Sequence, residues 1–351
     1  MRIIVTGATG NIGTSVLRKL RADPAIRQLV GVARRRPPTA PQKTTWLAAD
    51  VARADLAPVF EGAAAVVHLA WAWHPPREEE TRWATNVTGT TRVLDAVRRA
   101  GVPTVVVVSA AAAYAPEGDD RPVAESAPVT GVPSSSFSRH KAAVEVVLDA
   151  FEAHHPAVRV VRLRPAVVLK REAAGAVRQT FLGPLLPARA LRSGRLPVVP
   201  DVRGARLQAV HSFDVADAVR LALLRPDARG AYNLAAPPVL DARSVQLAFG
   251  GRALRIPRAA ARAALDAGFR LGVHPTEPGW LDLATAAPLV DVTRARTQLG
   301  WEPAFGATAA LQELLDGLAA GDPPALLPPD APALPAGPSA DAPRSPVPAR
   351  H

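Results

Sequence analysis

The chain has 351 residues, no cysteine, and 42 basic against 31 acidic side chains, for a formal net charge of +11. Its length fits one large α/β domain or two lobes, and the lack of cysteine excludes disulfides, thiol nucleophiles, zinc–thiolate sites and iron–sulfur clusters. The positive excess is spread as arginine, Lys19, Lys43, Lys141 and Lys170 being the only lysines; its densest cluster, Arg34-Arg35-Arg36, is shorter than the charge runs that bind nucleic acid, so no nucleic-acid partner is expected.

Met1-Arg2 passes at once into Ile3-Ile4-Val5, too short a run for a secretory signal. No apolar stretch nears the ~18 residues of a membrane helix. A cytoplasmic protein without a membrane partner is expected. Short β-branched runs at Ile3–Thr6, Leu29–Ala33, Ala64–Ala70, Val105–Ser109 and Val158–Leu163 alternate with helix-length segments at Asn11–Arg21, Glu79–Ala100 and Phe137–His154. Continuous apolar runs suit a parallel sheet covered on both faces, and the helices are long enough for right-handed crossovers. The predicted fold class is α/β, a doubly wound parallel sheet (Rossmann type) with a smaller mixed C-terminal substrate lobe.

After Arg164-Pro165 the alternation loosens into an amphipathic segment Ala173–Arg192, a short strand near Leu196–Val199 and a basic helix Pro257–Leu271. The stretch Gln208–Ala235 reads as strand, helix from Asp214, and strand, returning to the main sheet. The lobes are therefore predicted to interleave: residues 1–170 plus 205–240 as the dinucleotide-binding part, and 171–204 plus 241–320 as the substrate lobe. Residues 321–351, dense in proline and without apolar periodicity, read as a disordered tail.

The first strand runs into Thr6-Gly7-Ala8-Thr9-Gly10-Asn11-Ile12-Gly13, with glycines spaced G-x-x-G-x-x-G ahead of a helix. Gly7 suits a tight turn, Gly10 lets backbone approach a pyrophosphate, and Gly13 permits close packing. The helix start supplies free N–H groups for the phosphates. The second strand ends in Arg34 where an NAD site carries an acid, so NADP is expected over NAD. His68, His211 and the His154-His155 pair lack metal-ligand spacing, and no metal is expected.

These residues resemble the extended short-chain dehydrogenase/reductase superfamily, of the NAD-dependent epimerase/dehydratase type, over roughly residues 1–320. Asp50-Val51 resembles the pair that meets the adenine, and Val66-Val67-His68-Leu69-Ala70 the strand whose end, at Leu69 and Ala70, lies beside the cofactor. Asn86-Val87-Thr88-Gly89-Thr90 resembles the N-x-x-G-T helix. Val210-His211 with Asp214-Val215-Ala216, and Leu299-Gly300-Trp301-Glu302-Pro303, are also similar to the family. The resemblance implies a small-molecule alcohol, ketone or sugar-like substrate. It also implies a homodimer built on the helices near Glu79–Ala100 and Phe137–His154.

In the family a Tyr-x-x-x-Lys helix performs the proton transfer, and a Ser or Thr four residues before a following tyrosine completes the triad. Here the matching residues are Phe137, Lys141 and Ala110, with Ser109 one residue off. Lys141 retains the position of the ribose ligand, and Asn86 that of the proton-relay residue. Three readings follow: Tyr114 takes over the proton, the reaction needs no tyrosine, or the protein binds cofactor without turnover. Tyr114 is favoured as the replacement acid over Ser138, a poor acid, and His140, which helix geometry turns about 100° from Lys141. Arg206 is displaced by one residue from the arginine that meets the diphosphate in nucleotide-sugar enzymes. The apolar side chains Phe181, Leu182, Leu185, Phe269 and Trp280 would suit an apolar substrate.

Overall fold

The computed structural model describes residues 1–73, 78–182 and 198–321. The main sheet consists of β1 (Arg2–Thr6), β2 (Gln28–Ala33), β3 (Thr44–Ala48), β4 (Ala65–His68), β5 (Thr104–Val108), β6 (Arg159–Pro165) and β10 (Gly230–Leu234), in the order β10-β6-β5-β4-β1-β2-β3. Every pairing is parallel. Because successive residues of a strand point to opposite faces, Ile3, Val5, Val67, Val106 and Val161 enter one apolar layer. Ile4, Val66, Val105, Val107 and Val160 enter the other. That is why these strands are apolar throughout rather than alternating.

One layer is closed by α1 (Asn11–Ala22) and α7 (Ser212–Leu224). The other is closed by the short α2 (Ala57–Phe60), by α4 (Gly89–Arg99) and by α5 (Ser136–His154). The helical stretch before α4 is not uniform: α3 (Glu79–Trp83) passes through a π-turn at Ala84–Thr88, a distortion that often marks functional positions in helices. After β6 the chain forms β7 (Val167–Leu169), then a 3₁₀ turn at Arg171–Ala173, the single turn α6 (Ala174–Val177) and a second π-turn at Arg178–Leu182. The expected Ala173–Arg192 segment is thus broken into short turns as far as it is described. The proline-rich segment lies outside the described residues from 322 onward.

Two smaller sheets complete the fold. One pairs β7 in parallel with β9 (Leu207–His211), which pairs antiparallel with β11 (Ala236–Leu240). The other pairs β8 (Val198–Val202) with β12 (Arg252–Ile256). Of the predicted strand–helix–strand at Gln208–Ala235, only its second strand, β10, returns to the main sheet, beside β6. Its first strand, β9, instead extends the run of chain that follows β6, where β7 offers it a free edge. Helices α8 (Ala242–Phe249), α9 (Arg258–Arg270), α10 (Gly279–Ala286) and α11 (Ala307–Ala320) follow.

The family-like stretches near residues 214 and 301 meet at a buried junction. Trp301 is fully buried and its indole Nε1 donates to the Asp214 carbonyl at 2.8 Å. The Asp214 carboxylate accepts the backbone N–H groups of Ala304 at 2.9 Å and Phe305 at 3.2 Å. Burial raises this carboxyl to about 6, against the lowering by those two donors. Asp214→Ala leaves both donors without an acceptor, which costs about 1–3 kcal/mol per buried group. A stability loss of about 2–4 kcal/mol in urea unfolding is therefore expected, with Asp214→Asn losing less.

Candidate functional site

The glycine loop is built by backbone contact. Gly7 stands at φ +67°, and a Cβ there would lie 2.6 Å from the backbone nitrogen of Ala70. A Cβ on Gly13 would lie 2.3 Å from the Gly7 carbonyl oxygen. Both positions exclude a side chain because backbone already occupies the space. Gly10 differs: a Cβ there meets only the Gly7 oxygen at 3.2 Å, and its other directions are open.

Gly10 also caps α1 without any side-chain hydrogen bond, and the first turn holds no acidic residue. The start of α1 therefore presents N–H groups and a positive dipole end to the open side of Gly10, as a phosphate requires. Asn11 donates through Nδ2 to the Val168 carbonyl at 3.0 Å, while its Oδ1 is buried without a partner. Ile12 packs partly buried against the core. The Thr6 side chain is not offered to a ligand: its hydroxyl lies 2.7 Å from His68 Nδ1 and accepts the Leu69 N–H. His68 in turn lies 2.9 Å from Thr90 Oγ1 through Nε2, and burial pushes it down to about 3, so it is a neutral tie between β1, β4 and α4.

The other expected cofactor contacts lie at or after strand ends. Arg34, Arg35 and Arg36 follow β2 and are exposed. Asp50 follows β3 and accepts the Ala52 N–H. Val51 is buried at 3.0 Å from where a Gly89 Cβ would stand, which explains the glycine in the Asn86–Thr90 stretch. Leu69 and Ala70 supply the backbone against which Gly7 packs.

The positions expected to be catalytic fall into two separate surroundings. Ser135 caps α5, accepting the Ser138 N–H at 3.4 Å, and so fixes the first turn that carries Phe137. Phe137 is stacked on Trp73, with centroids 4.9 Å apart, and on Trp280 at 5.0 Å. Trp71 meets Phe137 edge-on at 5.7 Å, and Phe181 meets Trp280 edge-on at 4.8 Å. The cavity they surround holds ≈ 20 Å³, room for about one ordered water. Lys141 is buried, donates to the Val108 carbonyl at 3.1 Å and lies 3.6 Å from the Trp71 ring centroid. Burial lowers it to about 7, with Glu145 opposing the shift.

Asn86 grips the backbone of Ala72 in both directions, accepting its N–H at 2.6 Å and donating to its carbonyl at 3.1 Å. That clamp holds the segment between Trp71 and Trp73. The Asn86 amide also donates to His140 Nδ1 at 3.2 Å. His140 lines the same cavity as Phe137 despite its rotation around the helix, and burial keeps it below the usual imidazole range.

Tyr114 is not among the residues lining this cavity. It is 1% exposed, donates to Asn233 Oδ1 at 2.7 Å and accepts from Arg164 at 2.9 Å. Arg164 forks onto Glu145 at 2.9 and 2.8 Å. Burial raises the phenol further. Its hydrogen bonds make it a core residue. Ala110 is buried and extended after β5, and Ser138 bonds the Ala112 carbonyl and the Val132 N–H.

Sequence reasoning passed over Trp71, Trp73, Arg82, Lys170 and Glu277. Arg82 pairs with Glu277 at 2.7 Å and donates to Ser136 at 3.0 Å, and Ser136 donates to Glu277 at 2.6 Å, at the wall of the aromatic cavity. The available signals were the tryptophans directly after Leu69-Ala70 and the scarcity of lysine. Arg206 is committed to the Asp120 carboxylate at 2.5 Å and the Asp119 carbonyl at 3.0 Å. Of the expected apolar side chains, Phe181 and Trp280 enter the cavity cluster, Phe269 sits on α9, which buries no residue, and Leu185 lies outside the described residues. Among the described residues, no group of three or more His, Asp or Glu could hold a metal ion, and no helix is long and apolar enough to cross a membrane.

Sheet order, crossover helices and the uncapped glycine-loop helix define a doubly wound, dinucleotide-type α/β protein. The chain belongs to the NAD dependent epimerase/dehydratase family, whose model matches residues 3–235. Among solved structures it is similar to a dTDP-glucose 4,6-dehydratase of Streptomyces venezuelae with NAD bound. That likeness has a TM-score of 0.67 at 22% identity and covers 90% of this chain and 96% of the other. A UDP-glucuronic acid 4-epimerase of Bacillus cereus in complex with NAD gives 0.68 at 15% identity, covering 92% and 100%. A protein of Mycobacterium tuberculosis described as uncharacterized is 29% identical over 315 residues, 89% of this chain. The match spans only 29% of the length of that protein.

The glycines separate binding from folding. Gly10→Ala is expected to keep its melting temperature within a few degrees while dinucleotide affinity, read by calorimetry, falls about tenfold or more, since one methyl enters the open face. Gly13→Ala forces backbone apart and is expected to cost about 1–3 kcal/mol of stability.

Proposed function

We propose that this protein binds a nicotinamide dinucleotide, NADP in preference to NAD, and that the family's tyrosine-dependent proton transfer does not operate in it. The observation that carries this reading is Phe137. The side chain standing at the tyrosine position has no proton to give and packs against both Trp73 and Trp280, which also stack on each other. The second triad position is Ala110, also without a polar group. A missing general acid costs about 10²–10⁴ in rate.

The residues fit the adenosine–diphosphate half of the cofactor. Gly10 leaves an open cradle, α1 begins without a capping side chain or acid, and Leu69 and Ala70 back the loop at Gly7. Arg34 stands exposed at the end of β2, with no carboxylate beside it in sequence. Among the described residues, Arg34 makes no hydrogen bond or ion pair, which suits a 2′-phosphate. When bound, the nicotinamide ring would exchange hydride. On the protein side, Lys141 is the residue that would meet the nicotinamide ribose, and the Trp71 ring now covers its ammonium.

The solved relatives named above act on nucleotide sugars according to their descriptions. In this chain Arg206 is already paired with Asp120, and aromatic rings narrow the cavity at Phe137. A nucleotide-sugar substrate is therefore a weaker reading than a binding module. An altered enzyme acting on a small apolar carbonyl is the second reading, favoured by the cavity walls, where Arg82, Glu277 and His140 are the polar groups among aromatic ones.

Titration with NADPH and NADH, read by energy transfer from tryptophan to the reduced nicotinamide, tests the first reading. NADPH is expected to bind about tenfold tighter than NADH, and Arg34→Ser to remove most of that difference. Wild-type protein is expected to show no NADPH oxidation across a panel of carbonyl substrates. Turnover at the ~1–10³ s⁻¹ of ordinary enzymes would overturn the non-catalytic part. Phe137→Tyr combined with Ala110→Ser is expected to raise any residual carbonyl reduction by about 10².

A further inference from the structure

Lys170 lies just past β7, where its side chain turns under α1. It is 2% exposed. Its ammonium donates to the Asn11 carbonyl at 2.7 Å, to Thr14 Oγ1 at 2.6 Å and to Ser15 Oγ at 3.2 Å. All three acceptors are neutral. The nearby Glu172 is engaged with Arg18 at 2.9 Å, and α7 contributes only the Ser212 hydroxyl, bonded to the Asn11 carbonyl and to Ser15.

This placement is unfavourable for stability on two counts. A buried cation ordinarily requires an anion in contact, and a cation at the start of a helix opposes the macrodipole. Arg162 and Arg164, the buried arginines on the other side of the molecule, obey the ordinary rule. Arg164 is bound to Glu145, and Arg162 to Glu145, Asp149 and Glu152. Around Lys170 and the first turn of α1 two positive sources converge with no carboxylate in contact. The turn that Lys170 holds begins at Gly10, whose Cβ direction meets only the Gly7 oxygen and is otherwise open.

We infer that Lys170 is a positioning residue for a pyrophosphate at Gly10: it pins the first turn of α1 from behind and supplies the buried positive charge that the bound diphosphate neutralises. This inference rests on the dinucleotide reading above and extends it to a residue outside the glycine loop. The charge state follows from the surroundings. Burial lowers Lys170 to about 8, with Glu172 raising it and Arg18 lowering it further. Because the diphosphate favours the cationic form, affinity is full below that value and falls as the pH rises through it.

Calorimetric titration of the full chain with ADP tests this, since ADP carries the diphosphate without the nicotinamide ribose that Lys141 would meet. Wild-type affinity is expected to fall between pH 7 and pH 9.5. K170M is expected to bind ADP about tenfold or more weakly at pH 7 and to lose the pH dependence. K170R, whose charge does not titrate in this range, is expected to hold its affinity flat to pH 9.5. Equal ADP affinity in wild type and K170M, or the same pH decline surviving in K170M, overturns the inference. Should K170M fail to fold, K170R decides alone: a flat profile supports the role, and a decline like that of wild type overturns it. A wild type that binds neither NADPH nor ADP overturns the dinucleotide reading along with this one. Binding indifferent to Lys170 overturns this one only.

Discussion

The backbone-to-backbone contact between Gly7 and the Leu69-Ala70 segment is the constraint on which the site depends. It fixes the turn out of β1 against the turn out of β4, two strands adjacent in the sheet, with no side chain between them. From there the dependence runs in both directions. Toward α1 it sets where the helix begins and which face of Gly10 stays open. Toward residue 72 it delivers the chain to Asn86, whose amide clamps Ala72 and thereby holds the two flanking tryptophans against Phe137 and Lys141. The binding loop and the aromatic closure are two ends of one rigid piece of backbone.

Charge is handled in two ways within the same interior. Arg162 and Arg164 of β6 meet carboxylates directly and tie α5 to the sheet, so their charges are satisfied without a ligand. Lys141 and Lys170 bond only carbonyl and hydroxyl oxygens, and burial pulls both downward. For Lys141 the Trp71 face stands in as a soft partner, an arrangement worth more out of water than at a surface. Among the described residues no aromatic face serves Lys170.

The strands and principal helices of the first half were legible because their signals are local. Unbroken β-branched runs followed by amphipathic stretches permit few other arrangements, and a glycine triplet after a strand has a steric meaning that survives any tertiary context. The destination of β9 was not legible, since the choice between the main sheet and the edge of β7 is made by neighbours distant in sequence. The surroundings of Tyr114 were not legible for a similar reason. Tyr114 sits at the right distance along the chain from the triad positions, yet Arg164 and Asn233, 50 and 119 residues away, take both of its hydrogen bonds. His140 was turned away by helix geometry alone, but the residues around α5 make the cavity wide enough in angle to include it.

The sequence by itself determined the fold class, the family, the glycine loop with its basic neighbour Arg34, and the absence of a hydroxyl on the side chains of Ala110 and Phe137, because each of these is a property of residue type and short-range spacing. The tertiary structure alone decided what surrounds Phe137. Trp71, Trp73, Phe137, Phe181 and Trp280 come from four separate stretches of chain and become one closed cluster only when the sheet brings those stretches together. Lys170 likewise acquires its role from burial behind α1, about 160 residues earlier in the chain, where charge and dipole add through space rather than along the sequence.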